Sequence, residues 1–432
     1  MGRKILILYF VSVLLGLCTG VLASLFQLTI EKFDQGLAWF YNLLSHYELP
    51  VGLISALISM SMLFIAWFLV KNFAPEAAGS GVQEIEGTLL HERPIFWKRL
   101  LPVKFIGGVL AISAKMVMGR EGPTIQMGGN LGQMFGVWFG LNRHRRDTLI
   151  AAGSAAGLAA AFNAPLAGVL FVMEEMRNQF NYSFTNFKMV IICCVFSTIA
   201  LQLIVGSQPA IQMEVFPLPS LSSLSLFFIF GILIGFVGWV FNVVLMRTLS
   251  LLDGMRPDHK KYYILAVGLL VGFLAYIYPT VVGSGYGIIS QALVMSPAIN
   301  VLCVLLFFRF ITTMLSYSTG VPGGIFAPLL ALGTLLGLAF FHLAQWLSMD
   351  YSIHPGMFAV AGMGALFAAA VRSPITGVVL VVEMTQNYSL ILPLMITCIT
   401  ATTVVQLAHN DPIYTQLLRR TLYLGRTVLP KS

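Results

Sequence analysis

Residues 152–175 read AGSAAGLAAAFNAPLAGVLFVMEE, and residues 361–384 read AGMGALFAAAVRSPITGVVLVVEM. Laid together without gaps they agree at eleven of twenty-four positions, among them Gly153 with Gly362, Pro165 with Pro374, Gly168 with Gly377 and Glu174 with Glu383. Shared Ala and Gly alone would signal only close packing between membrane helices. The matched Pro, Gly and Glu point instead to an ancestral duplication, and they single out position 174/383 as a structural glutamate that hydrogen-bonds at a helix end. A second echo accompanies the first: Gly-Ser-Gly at 79–81 recurs at 283–285, at a similar offset. Paired repeats with interrupted helices are the pattern of transporters whose ion sites lie between the repeats near the bilayer midplane. The alignment alone leaves open whether the two halves are inverted or parallel.

The rest of the chain fits that setting. Of 432 residues, 58% are hydrophobic and 10% charged, against about 25% charged in soluble domains. A water-facing globule is excluded, and an all-α polytopic membrane protein remains. Apolar stretches fall at about 5–30, 51–70, 101–118, 148–173, 187–206, 224–246, 262–282, 298–316, 325–347, 357–382 and 388–408. Several are too short or too interrupted to be plain spanning helices, and 40 Gly and 19 Pro predict broken helices whose ends meet inside the bilayer. Irregular backbone at that depth is tolerated only when buried in protein or lining an aqueous cavity, which favours a permeation pathway over an anchor. The expected organisation is one membrane domain, 1–432, made of two halves at about 1–215 and 216–432.

The net charge of +8 reads as the cytoplasmic-loop excess of Lys and Arg. Basic clusters at Arg3-Lys4, His91 to Arg99, Arg143 to Arg146, Arg256 to Lys261 and Arg419 to Arg426 place those loops and both termini in the cytoplasm. No aromatic-interleaved basic surface suggests nucleic acid. The run from Ile5 to Ile30 exceeds the roughly 7–15 residues of a signal-peptide core and reads as a first membrane helix. Five cysteines without CxxC spacing read as packing residues, and the absence of HxxH, CxxC or clustered acids predicts no metal site.

Three glycine-framed segments carry the chemistry: Gly79-Ser80-Gly81-Val82-Gln83-Glu84, Gly119-Arg120-Glu121-Gly122-Pro123 and Gly323-Gly324-Ile325-Phe326-Ala327-Pro328. Each precedes an apolar run, and proline near a helix start costs no hydrogen bond. Helix N-termini present unpaired N–H groups and partial positive charge, so several converging would hold an anion without a full cation. Taken singly, the residues have plainer readings: Ser80 as a helix N-cap, Tyr414 as an interface aromatic, Glu121 paired with Arg120, and Glu175 solvated beside Arg177.

These segments, together with the AFNAPLAG and EEM stretch at 161–176, resemble the signature motifs of the CLC family of chloride channels and chloride/proton exchangers, and are most similar to its bacterial exchanger branch. The resemblance runs from about Ala74 through Tyr423. It implies a homodimer with one pore per subunit, each subunit built from two inverted repeats of tilted, partly spanning helices. It also implies that Ser80, Tyr414 in Asp411-Pro412-Ile413-Tyr414, and the backbone N–H groups of Ile325 and Phe326 bind chloride. Glu121 matches the external gating glutamate, and Glu175 the internal glutamate that passes protons and that the family's channels usually lack. The implied function is electrogenic H+/Cl− antiport across the bacterial inner membrane, with two chlorides expected per proton. A passive voltage- or pH-gated chloride channel is the alternative.

On this reading the protein is not an enzyme, and chloride is bound as substrate with no cofactor. An intramembrane hydrolase using Ser80 or Ser154 would need a base for its nucleophile, and no histidine falls in a pairing motif. Val82-Gln83 stands where the family usually has Ile-Pro, which makes the turn after Ser80 less rigid. With the chain ending at Ser432, paired CBS domains after the membrane domain are not expected.

Overall fold

The computed structural model describes residues 2–177, 180, 182–295, 297–347 and 353–428. Helices α1 (Gly2–His46), α2 (Val51–Phe73), α3 (Val82–Leu89), α4 (Trp97–Ser113), α5 (Glu121–Trp138), α6 (Arg143–Phe162), α7 (Pro165–Glu175) and α8 (Phe184–Ile204) come first. They are followed by α9 (Leu224–Asp253), α10 (Pro257–Ile277), α11 (Tyr286–Met295), α12 (Ile299–Ser318), α13 (Phe326–Trp346), α14 (Pro355–Val371), α15 (Pro374–Thr385), α16 (Ile391–Leu407) and α17 (Ile413–Val428). The protein is all-α and polytopic. Among the described residues, eight segments, those of α1, α2, α8, α9, α10, α12, α13 and α16, are long and apolar enough to cross a membrane.

Two of the expected apolar stretches, 148–173 and 357–382, are each divided. The chain leaves α6 at Asn163 (φ 54°) and α14 at Arg372 (φ 66°), in the left-handed conformation that ends helices, and Pro165 and Pro374 open the helices that follow. Both breaks fall at the same place in the repeat. The products α7 and α15, like α3 and α11, have 8 to 12 residues. At about 1.5 Å per residue they are well short of a bilayer core of roughly 30 Å and must end inside the protein.

The repeat glutamates reveal how the halves are related. Glu383, near the end of α15, accepts from the N–H groups of Leu166 (3.1 Å) and Ala167 (2.8 Å) at the start of α7. Reciprocally, Glu174 at the end of α7 accepts from Ile375 N–H (3.0 Å), Thr376 N–H (2.6 Å) and the Thr376 hydroxyl (2.6 Å). Each end-of-helix carboxylate thus satisfies orphan donors at the N-terminus of its counterpart. Such an exchange is possible only if α7 and α15 lie side by side and antiparallel, so the operation relating the halves reverses direction and the repeats are inverted.

That pseudo-twofold axis passes between Gly119 and Gly324, which exchange both backbone hydrogen bonds at 2.8 Å. The two glycines stand two residues before α5 and α13 respectively, so the bridge sets the helix N-termini against each other. Behind it, α5 packs on α6 and α13 on α14 backbone to backbone. A Cβ on Gly128 would strike the Gly153 carbonyl and the reverse, and Gly333 and Gly362 stand in the same relation. All five cysteines are free; Cys193 and Cys194 are buried with the Cys193 thiol donating to the Ser12 carbonyl at 3.1 Å. Finally, α17 is docked onto the end of α9 by Arg420, which donates twice to Asp253 at 2.6 Å, while Arg419 pairs with Asp411 in the segment just before the helix.

Candidate functional site

The site begins with the turn at 79–81. Gly79 (φ 61°) and Gly81 (φ 86°) take left-handed conformations that only glycine adopts without strain. Around them the loop is over-determined. Gly79 N–H donates to Val321 O (3.2 Å), and Gly323 N–H donates to Gly79 O (3.0 Å). The fully buried Lys104 ammonium donates to the carbonyls of Ala77 (3.0 Å) and Gly79 (2.7 Å). Gln126 donates to Glu76 O at 2.8 Å and fills the space that a side chain at position 81 would need. The rigidity that Gln83 fails to supply in place of proline comes from these bonds, and α3 still starts at Val82.

Ser80 does not cap α3: Gly81 holds the N-cap position, with no side-chain cap. Its hydroxyl points instead toward the start of α5, where a Cβ on Gly122 would lie 2.5 Å from Ser80 Oγ. Gly122 therefore lets the α5 N-terminus close onto the serine. On the other side of the Gly119–Gly324 bridge stand Ile325 and Phe326, both fully buried at the start of α13. The Phe326 ring is held among Phe162, Phe171, Phe367 and Tyr414, the last stacked with ring centroids 6.0 Å apart. Tyr414, in the first turn of α17, is fully buried, so it is no interface aromatic. Its hydroxyl faces that of Ser80, yet neither oxygen has a well-formed hydrogen bond in the protein. Two buried hydroxyls aimed at one place beside a helix N-terminus, both unsatisfied, are a donor set that fits a small anion.

Glu121 is the first residue of α5 and is fully buried. Its Oε1 accepts the Tyr286 hydroxyl at 2.6 Å. The N–H groups of Glu121 and Ala327 face the carboxylate, and its Oε2 has no closed hydrogen bond. A carboxylate thus occupies the convergence of the α5 and α13 N-termini, where an anion would sit. Arg120 is not its partner: that guanidinium donates to Ala161 O at 3.2 Å and lies over the Tyr286 ring, 5.6 Å from its centroid.

Glu175 closes α7 and is half-buried. It accepts from the Ser373 hydroxyl at 3.1 Å and hydrogen-bonds the carboxyl of Glu86, a residue 1% exposed on α3. Two carboxyls can share a hydrogen bond only if one carries the proton, so the pair as placed can hold one. Among the described residues no ion pair joins Glu175 to Arg177. Tyr414 lies within electrostatic reach of both Glu121 and Glu175.

The structure brings Ser80, Glu121, Ile325, Phe326 and Tyr414 together from four separate segments, with Glu175 set apart toward the end of α7. Four contributors escaped the sequence reading: Lys104, Tyr317, whose hydroxyl accepts from Ser80 N–H at 3.4 Å, Tyr286 and Glu86. Only Tyr286 had a usable signal, since it follows the repeated Gly-Ser-Gly.

Comparison with known proteins gives a consistent picture. The family described as Voltage gated chloride channel matches residues 62–406. The chain is 45% identical over 418 residues to the H(+)/Cl(−) exchange transporter ClcA of Vibrio cholerae, covering 96% of this chain and 89% of that one. It is 43% identical over 417 residues to the Salmonella arizonae protein of the same name, with 94% and 88% covered. Among solved structures, a slow cyanobacterial Cl−/H+ antiporter superposes with a TM-score of 0.93 at 38% identity, over 96% of this chain and 98% of the other.

Proposed function

The chain belongs to the voltage-gated chloride channel (CLC) family, and from that premise we propose that it is an electrogenic antiporter exchanging chloride for protons. The observation that carries the proposal is the fully buried Glu121 carboxylate seated at the convergence of the α5 and α13 N-termini. Ionised, Glu121 is a tethered anion in a site built for anions; protonated, it has no charge to hold it there. Chloride entry and proton uptake therefore compete for one position. Ser80, Tyr414 and the N–H groups of Ile325 and Phe326 bind the central chloride, strongly enough to replace part of its hydration and weakly enough to release it.

Glu175 delivers the proton from the other side. Its hydrogen bonds to Glu86 and Ser373 keep it oriented and in contact with a second acid, as a relay requires. We place the protein in the bacterial inner membrane with both termini cytoplasmic, moving two chlorides for each proton as its exchanger branch does, with no cofactor. The experiment is direct. In liposomes with an imposed chloride gradient, the wild type should pump protons uphill, Glu121→Gln should abolish proton movement, and Glu175→Gln should leave chloride flux without protons. Chloride flux unaccompanied by protons in the wild type would refute exchange and leave the passive channel.

We also propose a homodimer. On one outer face, the starts of α7 and α15 expose Leu166 and Ile375 beside Glu383, in an apolar groove of about 260 Å³ continued by Ile391, Met395 and Ile399 of α16. The Glu383 carboxylate, bonding the N-terminus of α7 in that groove, is poorly suited to contact lipid. A second copy laid on this face would cover it.

A further inference from the structure

We propose that the Tyr286 hydroxyl is a latch on the Glu121 gate: it holds the carboxylate in the anion position, and this one hydrogen bond sets the proton concentration at which the gate opens. The inference rests on the antiporter reading of Glu121 and assigns Tyr286 a positioning role in it.

Tyr286 opens α11 directly after the turn Gly283-Ser284-Gly285, whose glycines have φ of 74° and 107°. The turn is fixed from behind. The buried Arg309 guanidinium donates to the carbonyls of Thr280 (2.9 Å), Val282 (3.1 Å) and Gly283 (3.0 Å). The phenol is thereby brought to the gate by a pre-formed segment 165 residues away in sequence. Little ordering is left to oppose the bond. The ring is restrained too, because Arg120 lies over its face.

The groups facing Glu121 divide the work. Arg120, on its own element, is engaged with Ala161 O and the Tyr286 ring. From α13 comes the Ala327 N–H, from α17 the more distant Tyr414 hydroxyl, and from α11 the Tyr286 hydroxyl. Of these only Tyr286 makes a short, closed, side-chain hydrogen bond to the carboxylate. A donor bonded to a carboxylate favours its ionised form, and the ionised form is the one that occupies the site. The latch therefore opposes protonation and chloride entry together. A cavity of about 450 Å³ has Gly283, Gly285 and Gly287, on either side of Tyr286, in its wall with Lys115 and Arg309.

The test uses the full-length protein in liposomes and detergent. Tyr286→Phe keeps the ring that supports Arg120 and removes only the hydroxyl. Its chloride-flux profile should move toward higher pH by about one unit, since a hydrogen bond to a charged group is worth roughly a tenfold change in equilibrium. Chloride affinity by calorimetry should tighten by about three- to tenfold, because the competing carboxylate is held less firmly. In a Glu121→Gln background the same substitution should change neither quantity by more than about twofold, since no carboxylate remains to be latched.

An unchanged profile and affinity in Tyr286→Phe would overturn the latch. So would an equal displacement in the Glu121→Gln background, which would assign Tyr286 to the pore itself. Wild-type chloride flux without protons would refute the antiporter reading alone, because the displacement between wild type and Tyr286→Phe would still report the latch.

Discussion

In the proposed site Ser80 and Tyr414 offer two hydroxyl donors to one anion, and their energetic worth there follows from what replaces them. Removing one neutral donor typically costs about 0.5–1.5 kcal/mol, so Ser80→Ala and Tyr414→Phe should each weaken chloride binding by roughly two- to tenfold in calorimetry, with the fold intact. Both hydroxyls lack a protein partner, so neither truncation leaves an acceptor stranded. Glu86 behaves differently. Glu86→Gln should keep chloride flux within about twofold while slowing coupled proton movement several-fold, since an amide keeps a hydrogen bond to Glu175 but cannot take up a proton. Unaltered proton flux in that variant would remove Glu86 from the relay. The contrast between these residues also marks what a sequence reveals. Ser80, Glu121 and Phe326 stand in short glycine-framed segments whose local pattern announces helix starts. Glu86, Lys104 and Tyr286 act through partners 89, 27 and 165 residues away, and no local pattern encodes such a pairing before the helices are packed.

At the scale of elements, the reciprocal bonds between α7 and α15 are the clearest product of the duplication. Carboxylates at helix N-termini contribute about 0.3–1 kcal/mol when exposed and up to roughly 2 kcal/mol when partly buried. Glu174→Gln and Glu383→Gln should therefore each lower stability by about 1–2 kcal/mol, read as similar drops in melting temperature in detergent. Comparable losses are expected because each carboxylate bonds two backbone N–H groups of the other helix. A large loss in one variant and none in the other would contradict the symmetry. The repeat, its proline and its glutamate were legible as a duplicated unit, and so was the interrupted character of the helices. The break inside each copy was not, because apolarity continues through Asn163 and Arg372. Only the left-handed backbone at these residues, with proline two positions on, splits a long apolar stretch into two helices, the second of 11 or 12 residues. The orientation of the halves likewise waited on geometry: an alignment cannot tell a parallel from an inverted repeat, whereas two helices that exchange end-to-start hydrogen bonds must be antiparallel.

At the scale of the whole molecule, every residue proposed for the anion site and the proton relay belongs to one chain. Ser80 arrives before α3, Glu121 with α5, Glu175 with α7, Phe326 with α13 and Tyr414 with α17. Dimerisation on the α7–α15–α16 face is therefore expected to stabilise the fold without completing the site. Met395 is 44% exposed on that face and Ile399 50% exposed. A charge introduced there by Met395→Arg would face a second apolar surface at high desolvation cost, but could reach water or headgroups from a monomer by snorkelling. The variant should run at half the wild-type particle mass in detergent light scattering and retain chloride/proton exchange within about twofold per subunit, with a lower melting temperature because the groove beside Glu383 is uncovered. A wild type that is already monomeric would refute the dimer, and a Met395→Arg protein that remains dimeric would move the interface away from this face. A monomer that folds but cannot exchange ions would show that the pathway needs its partner, against the completeness of the site within one chain.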